Sequence, residues 1–95
     1  MTSTILTDRT GRAVRGQAVP TPAVVTVDRI DAQSYRILVN GVGVGHLGLA
    51  SSFALVNMSA VFGVFVKAHS SSVTAALGEL TRLHPEFAVT AAVTV

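Results

Sequence analysis

Three histidines, His46, His69 and His84, are the residues of this chain best suited to bind a metal ion or to move a proton. They are too far apart for the short spacings at which zinc ligands recur along a chain, and no Cys accompanies them. The serines lack the G-x-S-x-G context of a hydrolase nucleophile, and the five carboxylates are dispersed. We therefore expect no enzyme activity, no catalytic residue, no metal site and no cofactor.

The glycines suggest a second kind of chemistry. Gly43, Gly45 and Gly48 form a literal G-x-G-x-x-G after an apolar segment, the pattern of a dinucleotide-binding turn. In that motif an acidic residue follows the next strand, whereas Lys67 and His69 stand there in this sequence. A dinucleotide-binding fragment, in which these glycines bind a phosphate, is therefore an alternative that we keep but do not favour.

The basic residues give a more positive indication. Arg9, Arg12 and Arg15 carry the excess behind the formal net charge of +2, because the charges after residue 16 cancel. Arginine binds phosphate and carboxylate groups well. These three residues, together with Arg36 and Lys67, are the candidate contacts to a protein partner or to nucleic acid. The alternative for the three N-terminal arginines is a solvated tail.

The chain is rich in apolar residues and poor in charge. Hydrophobic residues make up 49% and charged residues 13%, against about 25% charged residues in an average protein. Residues 37–66 contain no Asp, Glu, Lys or Arg. A small domain with so few charges is expected to bury apolar area against a second copy of itself or against another protein.

A membrane span is a less favoured alternative for this uncharged segment. Residues 47–66 have the length of a transmembrane helix, but Asn57 and three serines interrupt them, and no basic cluster or aromatic belt flanks them. The N-terminus lacks the apolar core of a secretory signal. We therefore expect a cytoplasmic protein.

The candidate contact residues must be held by two parts of the chain. Residues 1–22 end in a proline-containing segment and predict a flexible basic arm, and residues 23–95 predict a single small α+β domain. Its sheet is expected to be a mostly antiparallel meander, with a type I′ hairpin turn at Asn40-Gly41. The predicted strands cover residues 23–30, 35–39, 42–49, 53–56, 61–67 and 86–95.

From residue 70 the apolar period changes to that of a helix. Serines at 70–72 are candidates for its N-cap, and His84-Pro85 ends it. We expect this amphipathic helix to pack on one face of the sheet. Its predicted apolar face consists of Val73, Ala76, Leu77, Leu80 and Leu83. Four aromatic residues are expected in the core rather than on a stacking surface: Tyr35, Phe53, Phe62 and Phe65.

Residues 35–80 also carry a family resemblance. The order "YRILVNGVGVGHLG" followed by "VFGVFVKAHSSSVTAALGEL" resembles the small β-β-β-α domains of unknown function found in actinobacteria and their phages. The resemblance covers about half of the chain and implies the fold more than the function. It also implies an accessory protein of a phage or another mobile element, located in the virion if it is phage-encoded.

The sequence as a whole predicts a non-catalytic interaction or assembly module that forms homo-oligomers and binds a host or virion protein. The alternative is a small nucleic-acid-binding module that uses the basic arm. A small membrane protein and a dinucleotide-binding fragment are the least favoured alternatives.

Overall fold

The computed structural model describes residues 5–89 and has an α+β fold, as predicted. Residues 1–4 and residues 90–95, the end of the predicted closing strand, lie outside the described part. Within it, six strands and one helix follow in the order β1 (Ala23–Asp31), β2 (Ser34–Val39), β3 (Val42–Leu49), β4 (Ala54–Met58), β5 (Val64–Ala68), α1 (Val73–Leu83) and β6 (Phe87–Val89).

The strands form one sheet in the order β5-β4-β3-β2-β1-β6. Strands β1 to β5 are antiparallel neighbours in chain order, as a meander requires. Strand β6 departs from this pattern, because it pairs with β1 in parallel. The predicted meander therefore holds for five strands, and the complete sheet is mixed because α1 carries the chain back across it before β6.

The predicted hairpin turn lies between β2 and β3. Asn40 has φ 53° and Gly41 has φ 83°, so both residues adopt the left-handed conformation that a type I′ turn needs. The Asn40 side chain also joins the turn to β1, since its Oδ1 accepts from Val24 N at 2.9 Å and its Nδ2 donates to Pro22 O at 2.9 Å. The strongest local signal of the sequence is thus confirmed.

Helix α1 closes the curled sheet. It contacts β3, β4 and β5 and also β6 at the opposite edge, which is possible only because the sheet curls around it. Ser72 Oγ caps the helix by accepting from Ala75 N at 3.0 Å. Ala76, Leu77 and Leu80 are buried as expected, whereas Leu83, predicted on the same face, is 48% exposed in the last turn.

The core lies between the helix and the inner face of the sheet. It is entirely apolar among the residues that the structure describes. Alternate residues of the strands supply most of it, so the other set of alternate residues forms an outer face that the helix does not cover. Strand β5 shows this alternation fully, because Val64, Val66 and Ala68 are buried while Phe65 and Lys67 are exposed.

The N-terminal segment follows the body of the protein along part of its length. Ile5 is buried in the core, and Pro20 is buried just before β1. Between them, Gly16 N donates to Ala60 O at 2.9 Å and Gln17 N donates to Val61 O at 2.8 Å. The predicted arm is thus held against the β4–β5 turn over residues 16–17.

The segment considered as a membrane span, residues 47–66, consists of strands and turns and not of one continuous helix. Across residues 5–89, the structure contains no helix with the length and apolar character needed to cross a bilayer.

Candidate anion-binding groove

One row of exposed side chains crosses the outer face of the sheet. Arg36 on β2 pairs with His46 on β3, His46 pairs with Asn57 on β4, and Asn57 pairs with Phe65 on β5. Directly paired residues of adjacent strands point to the same face. The row therefore places a cation, an imidazole, an amide and an aromatic ring side by side on the uncovered surface.

A groove of about 670 Å³ lies over the basic end of this row. Its floor is the outer face of β2, β3 and β4, one wall is the N-terminal segment, and the other is the β4–β5 turn. Its lining contains no Asp or Glu. The lining residues are Gly11, Arg12, Ala13, Arg36, Gly43, Val44, Gly45, His46, Asn57, Ser59, Ala60 and Val61.

Two of the glycines of β3, Gly43 and Gly45, line the groove. A Cβ on Gly43 would lie 3.5 Å from Arg36 Cδ, an ordinary contact, so the Arg36 stem packs beside this glycine. A Cβ on Gly45 would overlap the Asn57 carbonyl oxygen and lie 2.9 Å from Met58 Cγ. Gly45 therefore permits β3 to approach the end of β4, which no residue with a side chain would allow.

Arg12 reaches the groove from a small hairpin in the N-terminal segment. Thr7 and Ala13 form a β-bridge, and the Asp8 carboxylate closes the turn by accepting from Thr10 N at 2.9 Å and Thr10 Oγ1 at 2.6 Å. It also accepts from Arg12 N at 3.1 Å. The hydrogen bonds from Thr10 are the main reason that the pKa of Asp8 is lowered, and the Arg12 charge adds to the effect.

Gln17 fixes this hairpin to the rest of the chain. Its Nε2 donates to Leu6 O at 3.0 Å and to Val14 O at 2.6 Å, and its Oε1 accepts from Leu6 N at 2.7 Å. Its backbone is bonded in turn to the β4–β5 turn. One glutamine thus links the hairpin that carries Arg12 to the opposite wall of the groove.

The cations of the groove form no ion pair within residues 5–89. The guanidinium groups of Arg12 and Arg36 make no hydrogen bond or ion pair with any residue that the structure describes; within residues 5–89 the one ion pair joins Glu79 and Arg82 on α1. Asp28 is the β1 partner of Arg36 in register, on the side away from His46, and it does not line the groove. The lining of the groove is therefore basic among the described residues, although Asp8 lies near Arg12 and Asp28 is paired in register with Arg36 outside the lining.

The polar groups at the far wall can donate as well. Asn57 Oδ1 accepts from Ser59 N at 3.1 Å and from Ser59 Oγ at 2.7 Å, whereas its Nδ2 donors bond to no described residue. An anion in the groove can therefore meet two guanidinium groups, an imidazole and an amide, the set of donors that phosphate and carboxylate groups accept from.

The five predicted contact residues separate into two groups. Arg12 and Arg36, far apart in sequence, meet at the groove. Arg9 and Arg15 are exposed on the hairpin but do not line it. Lys67 lies on the outer face of β5 with its Nζ 4.7 Å from the centroid of the Phe53 ring, a cation–π contact.

Sequence reasoning missed four residues of this surface. His46, Asn57 and Ser59 drew attention only as isolated polar residues, because their meeting depends on strand register. The core location predicted for Phe65 is wrong, since its side chain is 55% exposed, while Tyr35 and Phe62 do pack against the core. The exposure of Phe65 could have been predicted from the alternation along β5, in which Phe65 and Lys67 fall on one face and Val64 and Val66 on the other.

The structure also bears on the alternatives for the glycines and histidines. Gly43, Gly45 and Gly48 all lie within β3, which returns antiparallel into β4. They do not form the strand–loop–helix turn that dinucleotide binding requires, so that interpretation is wrong. Across residues 5–89, no three His, Asp or Glu side chains are grouped closely enough to hold a metal ion.

Comparisons of the chain with protein-family models, with curated proteins and with solved structures found no match.

Proposed function

We propose that the protein is a non-catalytic binding module that takes up an anionic group of its partner in the groove between the N-terminal hairpin and the outer face of the sheet. The observation that carries this proposal is that Arg12 and Arg36 line one groove with His46 and Asn57, and that no described carboxylate is among its lining residues. Two positive charges in one groove disfavour each other, so a bound anion is favoured there.

The ordered position of Arg12 favours the binding of one discrete anionic group over a diffuse layer of counterions. Gln17 and Asp8 hold the hairpin by hydrogen bonds, and a donor that is already ordered loses less entropy on binding than one on a free tail. The same contact made from a free segment would in addition cost the entropy of ordering that segment.

The test compares two double variants with the same loss of charge. Arg12→Gln with Arg36→Gln removes both groove cations, and Arg9→Gln with Arg15→Gln removes two cations outside the groove. Tripolyphosphate titrated into the wild-type chain is expected to shift the backbone amide signals of residues 11–13, 43–46 and 57–61 in NMR spectra. Exposed ion pairs contribute up to about 1 kcal/mol each, so the groove variant, which loses two, should bind about ten- to thirtyfold more weakly.

The control variant should bind nearly as the wild type does, after allowance for its lower net charge. Equal loss of affinity in both variants would show that binding follows net charge and not the groove. Amide shifts confined to other parts of the chain would also contradict the proposal.

A further inference from the structure

The outer face continues beyond the groove to an exposed aromatic ring. Phe65 is three strands from Arg36 in the same cross-strand row, and its side chain is 55% exposed. A phenylalanine so open to water contributes little to the stability of the fold. Its position suggests a binding role, because His46 and Asn57, two polar residues of the groove, lie between Arg36 and Phe65 in the same row.

A second cation flanks this ring. Lys67 follows Phe65 by two residues on the same face of β5, where its ammonium group lies over Phe53. The surface thus presents cations on both sides of an exposed aromatic face: Arg12 and Arg36 in the groove, and Lys67 beyond it. Proteins that bind single-stranded nucleic acid combine these two features, a basic groove for the phosphates and an aromatic side chain on which a base stacks.

We propose that the anionic partner is a single-stranded nucleic acid, with its phosphates at Arg12 and Arg36 and a base stacked on Phe65. This inference rests on the proposed function and names the ligand class of the same groove. An acidic peptide would satisfy the arginines but would leave the exposed ring without a role.

The dimensions of the row agree with this ligand. Adjacent strands are about 4.8 Å apart, so the Cα atoms of Arg36 and Phe65 are separated by about 14 Å along the row. One strand of nucleic acid carries a phosphate about every 3.4 Å even at the compact spacing of a duplex. The face therefore spans on the order of four nucleotides, enough for contacts to phosphates at one end and to a base at the other.

Duplex DNA fits the same face less well. The bases of a duplex are stacked on each other, and a ring on the surface of a sheet reaches a base face only when that base is unpaired. Preference for single strands over the matching duplex is therefore part of the proposal.

The experiment measures fluorescence anisotropy of labelled oligothymidylate and oligouridylate with the full chain, and with an abasic oligomer of the same length as the matched ligand. Phe65→Ala should weaken binding of both base-bearing oligomers about tenfold and leave binding of the abasic oligomer unchanged. Phe65→Trp should restore affinity, because tryptophan also offers a stacking face. Leu83→Ala, which removes another exposed apolar side chain (48% exposed), should change neither.

The arginines have a separate signature. Each phosphate contact to a single strand contributes about −0.7 to the slope of log K against log salt concentration, so Arg12→Gln with Arg36→Gln should reduce the slope by about 1.4 for base-bearing and abasic oligomers alike.

Two results would overturn the inference and leave the proposed function intact. One is equal affinity for abasic and base-bearing oligomers, with no effect of Phe65→Ala, while tripolyphosphate still binds at the groove. The other is binding of a polyglutamate peptide as tight as that of the oligonucleotides. If tripolyphosphate binding does not depend on Arg12 and Arg36, it is the proposed function that fails.

Discussion

Substitution of the glycines in β3 offers a direct test of how this sheet is packed. A Cβ on Gly45 would overlap a backbone carbonyl oxygen, that of Asn57, and would stand 2.9 Å from Met58 Cγ, where ordinary contacts begin at 3.4 Å. The Met58 side chain could retreat by the missing half ångström, but the carbonyl belongs to β4 and can move only with its strand. We therefore expect Gly45→Ala to reach the upper end of overpacking costs, about 3 kcal/mol.

Gly48→Ala is the matched control. Gly48 lies in the same strand, and a Cβ there would meet nothing within 4 Å. Alanine should be neutral or stabilise the strand by up to about 1 kcal/mol, because glycine loses more backbone freedom on folding.

The measurement is urea unfolding followed by circular dichroism. With a slope of about 1–3 kcal/mol per molar urea, the loss of about 3 kcal/mol lowers the midpoint by about 1–3 M for Gly45→Ala, and the midpoint for Gly48→Ala stays close to that of the wild type. A chain of this length has a free energy of unfolding of about 5–14 kcal/mol, so the loss is a large fraction of the total. Equal midpoints for the two variants would refute the close approach of β3 to β4 at Gly45.

The remaining predictions concern pH and assembly. The pKa values of Asp8 and Glu79 are lowered from 3.8 and 4.5, mainly by hydrogen bonds from Thr10 and Arg82 respectively, so their contribution to stability should be complete above about pH 5 and be lost as the pH falls through the folded-state values. Urea midpoints should therefore decrease on acidification, and a double variant, Asp8→Ala with Glu79→Ala, should show a smaller decrease; an unchanged pH profile in that variant would contradict the assignment. Self-association, expected from the composition, predicts a mass above 9.8 kDa by light scattering after size exclusion, and the exposed Leu6 side chain, 62% accessible, is one group that it would cover. A mass of 9.8 kDa at every concentration would remove that expectation.

The sequence was most informative where structure depends on neighbours along the chain. Asn40-Gly41 predicts a turn because both residues tolerate positive φ, and β3 has the bounds predicted for the partner strand that follows this turn. The helix could be predicted for the same reason, since its capping serine and its terminating proline lie within a few residues of the apolar face. The apolar period continues to Leu83, but this leucine of the last helical turn is exposed, so periodicity alone does not show where burial ends.

Only part of the candidate site could be predicted from the sequence. Arg12 and Arg36 were identified as cations able to bind a partner, but their meeting depends on hydrogen bonds between the N-terminal segment and the β4–β5 turn, which join residues 16–17 to residues 60–61. No local pattern encodes such a contact. The row from Arg36 to Phe65 depends on the registers of three strand pairs, and a shift of one residue in any of them would send part of the row to the opposite face.

The parallel pairing of β1 with β6 has a consequence for how the protein is made. Ala23 lies beside Phe87, so β1, the first of the described strands to be synthesised, finds its outer neighbour only after almost all of the described chain has been made. Until then one edge of β1 lacks its partner strand, and the core lacks the Phe87 ring that is fully buried in the folded protein. Contacts between residues so distant along the chain are slow to form, and until β6 has been synthesised the described sheet is open at the β1 edge.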